Sequence, residues 1–229
     1  MKITICACAS RTFIEKDKVT RLAAMLKKAG CEVELVSDLC ELCEDKNNKV
    51  HDIAATTIVA CHERAVKSLM AFCGEDDCKC YDLRSQSVED VLKALNISPN
   101  EGEEIEESEW KEHIATFPTK LGEDAWYPTL DKDLCAECGK CFEFCPFGVY
   151  EMVADRVRVV HPHNCKNNCP ACARSCPAGA IIFPKYDRSP INGGVEQQEK
   201  AVKLDTKELY GQALREKLAN RRQGIKLMK

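Results

Sequence analysis

The sequence has no Gly-x-Gly, no Gly-Lys-Ser or Gly-Lys-Thr, and no His-Glu-x-x-His. These gaps leave a tightly bound dinucleotide, a phosphate-loop NTPase and a zincin-type protease without support. Aromatic residues are sparse, at 6%. No run approaches the roughly 20 apolar residues that span a bilayer. The opening stretch, Met1-Lys2-Ile3-Thr4-Ile5-Cys6-Ala7-Cys8-Ala9, runs straight into Arg11, Glu15, Lys16, Asp17 and Lys18. It is short and badly flanked for a secretory signal and reads better as a buried first strand. The formal net charge of −4 offers no global field for nucleic acid or an anionic membrane. The expected location is the cytoplasm, where structural disulfides are rare.

Cysteine is abundant instead, with 17 among 229 residues. The odd count leaves a complete disulfide framework at least one thiol over. A chain of this length buries roughly 70% of its unfolded surface without staples. Its hydrophobic fraction of 45% is ordinary for a globular protein. The thiols therefore point to metal or redox chemistry rather than to stability.

Four regions follow along the chain. Residues 1–97 alternate strand-like and helix-like stretches: strands at Lys2 to Ala7, Glu32 to Val36, Thr57 to Ala60 and Cys80 to Leu83, and helices at Asp17 to Ala29, Val50 to Ala55, Ala65 to Phe72 and Ser87 to Leu95. That alternation predicts an α/β domain, a small parallel sheet with flanking helices. Residues 98–133 carry eleven acids against three bases, with Pro99, Gly102, Pro118, Gly122 and Pro128. They read as an acidic linker or a wrapping segment, and Trp110, Phe117, Trp126 and Tyr127 favour wrapping, since aromatics find a surface to cover. Residues 134–184 hold eight cysteines. Residues 185–229 hold none and carry eleven bases against six acids. In this basic tail, Asp205 and Glu208 suggest a capping box, and Tyr210, Ala213, Leu214 and Leu218 an amphipathic helix ending at Gly224, packed on its own protein or on a partner.

The strongest signal is Cys135-Ala-Glu-Cys138-Gly-Lys-Cys141-Phe-Glu-Phe-Cys145-Pro146, a C-x2-C-x2-C-x3-C-P run. Three thiolates on a tight loop take three corners of a cube, and the fourth, a helical turn on, reaches a second cube. Cys165-Lys-Asn-Asn-Cys169-Pro-Ala-Cys172-Ala-Arg-Ser-Cys176-Pro177 repeats the pattern with one extra residue in its first gap. The implied pairing is crossed: Cys135, Cys138 and Cys141 with Cys176 on one [4Fe–4S] cluster, and Cys165, Cys169 and Cys172 with Cys145 on the other. Structural zinc wants two close pairs of ligands instead. Gly148 and Gly179 occupy equivalent places in the repeat, and Val149 to Val153 with Arg156 to Val160 predict a hairpin turning at Ala154-Asp155. The segment 130–184 resembles the dicluster bacterial-type ferredoxin domain, which implies an α+β fold and two [4Fe–4S] clusters. His161 and His163, just before Cys165, are expected to hydrogen-bond near the cluster rather than to ligate it.

A subtler pattern lies in the first domain. Cys6 and Cys8 end the first strand, Cys40 and Cys43 follow the second, and Cys61 closes the third. All five gather at the carboxyl edge of a parallel sheet, where such folds place ligands. Cys31, Cys73 and Cys78 fall toward the opposite edge, and Cys80 is ambiguous. Cys-x-Cys after the first strand, Cys after the second and Ala-Cys after a Val-rich third resemble the N-terminal domain of HdrA-type heterodisulfide reductase proteins. The resemblance implies a third [4Fe–4S] cluster on Cys8, Cys40 and Cys61, with Cys6 or Cys43 as fourth ligand. It does not extend to His62-Glu63, where that family continues Ser-Pro, nor to the family's flavin domain, so no flavin chemistry is implied. A zinc site, or a redox dithiol at Cys40-x-x-Cys43, is the competing reading of these residues.

The expected function is an iron–sulfur electron-transfer protein working with a redox protein partner, a flavoprotein or a heterodisulfide reductase-like subunit. The alternatives are a reductase acting on a small molecule or disulfide at the N-terminal cysteines, and a redox sensor.

Overall fold

Ile3 and Ile5 are fully buried and alternate with Thr4, whose hydroxyl is satisfied by Thr56 Oγ1 at 2.8 Å, so β1 (Lys2–Cys6) is a central strand with both faces covered. The computed structural model describes residues 1–98, 107–119 and 124–195. Of these, Met1–Val195 form one compact unit. The tail helix expected around Tyr210 to Leu218 lies outside the described residues.

β1 pairs in parallel with β2 (Glu32–Val36) on one side and β3 (Thr57–Ala60) on the other, and β3 pairs in parallel with β4 (Lys79–Asp82). The order is β2-β1-β3-β4. α1 (Lys16–Lys28) and α5 (Val88–Ala94) cover one face through Val19, Leu22, Leu26, Val91 and Leu92. α2 (Leu39–Glu44), α3 (Lys49–Ala54) and α4 (Glu63–Phe72) cover the other through Leu39, Ile53, Val66 and Leu69. Ser87 caps α5 by accepting from Asp90 N–H at 3.1 Å, as its spacing predicts.

Part of the acidic segment wraps this domain. α6 (Ser108–Ala115) buries Trp110 and Ile114 against α1, with Lys27 Nζ 2.9 Å from Glu109 and 5.4 Å from the Trp110 ring centroid. The segment's end belongs to the second module: β5 (Thr129–Leu130) pairs antiparallel with β8 (Ile181–Ile182). Between them lie α7 (Lys140–Phe144), the hairpin β6 (Tyr150–Val153) and β7 (Arg156–Val159), and α8 (Ala171–Ser175). The hairpin turns at Ala154 and Asp155, both with positive φ, the two-residue turn whose twist suits flanking strands.

The modules are joined by specific bonds. The hydroxyls of Ser68 and Thr129 lie 2.7 Å apart. Arg11 Nε donates to Asp124 at 2.6 Å, and Arg84 donates to the Pro184 and Tyr186 carbonyls at 3.2 and 3.1 Å. No described helix is long and apolar enough to cross a membrane.

Candidate iron–sulfur sites

The repeated cysteine runs fold alike. The residue before the second cysteine of each, Glu137 and Asn168, sits in the left-handed region, with φ of 50° and 59°. Gly148 and Gly179, at matching places after each Cys-Pro, do the same at 66° and 59°. These turns curl each run into a loop. Cys135, Cys138 and Cys141 line one cavity together with Cys176 from the other run. Its remaining walls include Leu130, Val157 and Ile181.

The second set groups in the complementary way. Burial pushes the Cys165 thiol up to about 12, and Cys172, Cys145 and Cys169 add to the rise. Cys172 is pushed to about 11 by burial, with Cys145 and Cys169 again contributing against a hydrogen bond from Tyr150. Tyr150 Oη donates to Cys172 Sγ at 3.1 Å. Thiolates crowded in an apolar pocket repel one another, and only a bound cation makes their joint ionisation favourable. An all-thiol set ringing a common cavity suits a multi-iron cube. His161 and His163 face carboxylates, Glu151 at 3.1 Å and Glu44 at 3.6 Å, rather than the thiols.

At the carboxyl edge of the first sheet, Cys6, Cys8, Cys40 and Cys61 act on one another's ionisation. Cys6 ends β1 and accepts from Leu39 N–H at 3.3 Å. Cys8 follows with φ of 47°. Cys40 lies in the first turn of α2, where Asp38 caps the helix by accepting from Cys40 N–H at 3.1 Å. Cys61 follows β3. Burial raises all four thiols, Cys61 to about 12. Cys8 raises each of the other three further, and Cys61 does the same to Cys6 and Cys40. Cys8 and Cys61 lie beyond β1 and β3, the neighbours from which the chain leaves in opposite directions, the usual ligand crevice of such a sheet.

Cys43 sits differently. It is one helical turn past Cys40 and fully buried, and its thiol is raised first by Cys73 and by burial, with Cys40 and Cys6 adding less. Cys80, in β4, donates to the Glu63 carbonyl at 3.7 Å, and Cys31 packs against the first core.

Two cations frame the edge site that the sequence did not disclose. Lys185, 3% exposed, donates to Asp38 at 2.6 Å and Ser10 at 2.7 Å and lies 3.7 Å from Asp124. Although burial opposes it, the pull of Cys40, Asp38 and Asp124 raises its pKa and keeps it charged. Arg84 rests 4.1 Å from the Phe13 ring centroid and favours the ionised forms of Cys8 and Cys61. Trp126, stacked on Phe183 at 5.3 Å, has a buried Nε1–H with no partner among the described residues, a spare donor between the two modules. Thiols facing buried cations suit an anionic cluster.

A repeated cysteine loop that shares its fourth thiol with its twin defines a dicluster iron–sulfur protein. Residues 127–177 match the family described as a 4Fe-4S dicluster domain. The chain is 46% identical over 69 residues to an uncharacterized ferredoxin of Methanocaldococcus jannaschii, covering 30% of this chain and 47% of that protein. It is 42% identical over 55 residues to a second uncharacterized ferredoxin of that organism, covering 23% of this chain and 87% of that one. It is 38% identical over 72 residues to pyruvate synthase subunit PorD of Methanothermobacter marburgensis, covering 31% of this chain and 83% of that protein. The chain thus spans about half the length of the first relative and most of the other two. It belongs to the ferredoxins built on this dicluster domain.

Proposed function

We propose that this protein passes single electrons between redox proteins through three [4Fe–4S] clusters. Two are held crosswise in residues 134–184, one by Cys135, Cys138, Cys141 and Cys176, the other by Cys165, Cys169, Cys172 and Cys145. The third is held at the sheet edge by Cys6, Cys8, Cys40 and Cys61. Each cluster, when bound, takes up and releases one electron. The observation that carries the reading is the shared cavity: Cys176, from the second run, lines the pocket of the first. The edge set is supported by its buried cations Lys185 and Arg84 and by the resemblance to HdrA-type heterodisulfide reductase domains.

The chain's own groups set the conditions. Tyr150 donates to a ligand sulfur, which stabilises the more negative, reduced state and raises the potential at that site. Cys141 and Cys172 are buried while Cys138 is exposed, so electrons enter or leave most readily beside Cys138. The likeness to a pyruvate synthase component supports work inside an oxidoreductase complex, where the partner is a flavoprotein or a heterodisulfide reductase-like subunit.

The test is iron and acid-labile sulfide in anaerobically purified protein. About twelve irons per chain are expected, falling to about eight in Cys61→Ala and in Cys8→Ala. A wild-type content near eight, unchanged by either substitution, removes the third cluster from the reading. Cys176→Ala altering the spectrum of the second run's cluster instead of the first would overturn the crossed pairing.

A further inference from the structure

Cys43 and Cys73 face each other from α2 and the end of α4, and neither is in the four-cysteine set proposed for the edge. The inner thiol, Cys43, has no solvent exposure. The outer, Cys73, is part-buried and donates to the Cys43 carbonyl at 3.7 Å, which sets its thiol beside that of Cys43. Cys73 opens on a cavity of about 460 Å³ between α4 and the ferredoxin hairpin. Phe72, Leu130, Val153 and Val159 supply apolar walls, and Lys46, Lys132 and Arg158 supply cations, Lys132 also paired with Asp76 and Arg158 with Glu137 at 3.6 Å. Lys46 Nζ lies 5.5 Å from the Phe72 ring centroid.

We infer that Cys43 and Cys73 form a redox dithiol whose substrate is a small, negatively charged disulfide bound in this cavity. The roles follow from placement. Cys73 lies at the cavity wall, and its pKa is lowered by the Cys43 hydrogen bond and by Lys46 and His51. It supplies the attacking thiolate. Its sulfur attacks one sulfur of the substrate, the substrate S–S bond breaks, and the first half leaves as a thiol carrying the proton Cys73 gave up. Cys43 then attacks the Cys73 sulfur and closes the internal disulfide. The second half leaves with the Cys43 proton. The substrate gains two electrons and two protons, and the dithiol loses them. The cations select substrates bearing carboxylates, and the apolar walls take a compact, uncharged linker. Returning the pair to dithiol needs two electrons and two protons. The electron-transfer reading names the ferredoxin module as their source; the exchange does not depend on that reading and is tested without it.

The full-length, iron-loaded protein is incubated anaerobically with oxidised glutathione, which is anionic, or with 2-hydroxyethyl disulfide, which is neutral. The reaction is quenched by alkylation and the peptides are mapped by mass spectrometry. The expected result is a Cys43–Cys73 linked peptide that forms about tenfold faster with the anionic disulfide. Cys43→Ala, with its visible cluster absorption retained, should instead hold a glutathione adduct on Cys73. Recovery of both cysteines alkylated in the wild type overturns the proposal, as does a Cys40–Cys43 link in their place. Equal rates with the two disulfides overturn the substrate class. Should Cys43→Ala fail to load clusters, the wild-type map alone decides.

Discussion

Lys185→Met tests how the two modules and the edge site are held together. The substitution keeps the length and apolar stem of the side chain and deletes its charge. In the wild type the ammonium sits 2.6 Å from Asp38 Oδ2, 2.7 Å from Ser10 Oγ and 3.7 Å from Asp124 Oδ2, with 3% of the residue exposed. Asp124 keeps a second cation, since Arg11 donates to both of its oxygens at 2.6 and 3.2 Å. Among the described residues Asp38 keeps neutral donors, Ser10 and the first N–H groups of α2. Removing one partner of a buried pair costs about 3–5 kcal/mol, and with those donors remaining the lower end, about 3 kcal/mol, is expected. For a unit of this size that lowers the thermal midpoint by roughly 6–12 °C. The assay is far-UV circular dichroism of anaerobic, iron-loaded protein at a fixed scan rate. Lys185 has a raised pKa in the folded state, so its contribution is complete below its ordinary pKa and is lost only as pH rises through the folded value. The gap between wild type and variant is therefore flat from about pH 6 to 9. Adding Asp38→Asn to Lys185→Met should recover most of the loss, because the unpaired buried carboxylate is its main source. A midpoint shift under about 2 °C in Lys185→Met, or no coupling between the substitutions, refutes this account.

Two further perturbations probe other joints. Burial works to raise the Asp82 carboxyl, but hydrogen bonds from His62 and Ser85 overcome it and hold the pKa at about 2. Its contribution, about 1–2 kcal/mol after allowing for partial solvent screening, is present above the unfolded pKa near 4 and lost as pH falls toward 2, so Asp82→Asn should flatten the acid limb of the stability profile measured by circular dichroism. Gly193 has φ of +87°, and a Cβ there would lie 2.8 Å from Ala65 N and 2.9 Å from Ala65 Cβ in α4, whereas one at Gly30, φ +77°, meets nothing within 4 Å. Gly193→Ala should destabilise by about 2–3 kcal/mol and Gly30→Ala by about 1, compared as thermal midpoints, and equal shifts would show that contact with α4 contributes nothing.

What could be read in advance was whatever local sequence dictates. Each strand of the first sheet lies within a residue or two of its expected span, because buried strands announce themselves by Val and Ile between turn residues. The hairpin turned at Ala154 and Asp155 as its flanking alternation required. α2 was missed, being Leu-Cys-Glu-Leu-Cys-Glu, too short for a helical period to show. A signal did exist there: Asp38 as cap with Glu41 three residues on. α6 was hidden for a different reason. Its Glu-rich composition reads as linker, and only Trp110 and Ile114, four apart, mark the side that α1 covers.

The cysteines divide along the same line. Spacing alone predicts three local thiols for each ferredoxin run and the repeat predicts the exchange of the fourth, a proposal supported by the cavity that Cys176 shares with the first run. At the sheet edge, topology gathered Cys6, Cys8, Cys40 and Cys61, since parallel strands end on one side and the chain carries thiols at those ends. Topology could not separate Cys40 from Cys43. That depends on the turn of α2 each occupies: Cys40 lies beside the Asp38 cap, and Cys43 lies one turn on. There Cys43 meets Cys73, which was placed at the opposite edge because α4 ends there. Lys185 lies 145 residues beyond Cys40, among tail bases that read as solvated, and nothing near it in sequence marks it as buried. Its burial is decided by the antiparallel pairing of β5 with β8, which returns the chain to the first module just after Phe183. The ferredoxin fold thus delivers the cation that balances the thiols of the other domain. Electrostatics at the edge site therefore depends on the ferredoxin module being folded, and the two sites are assembled together.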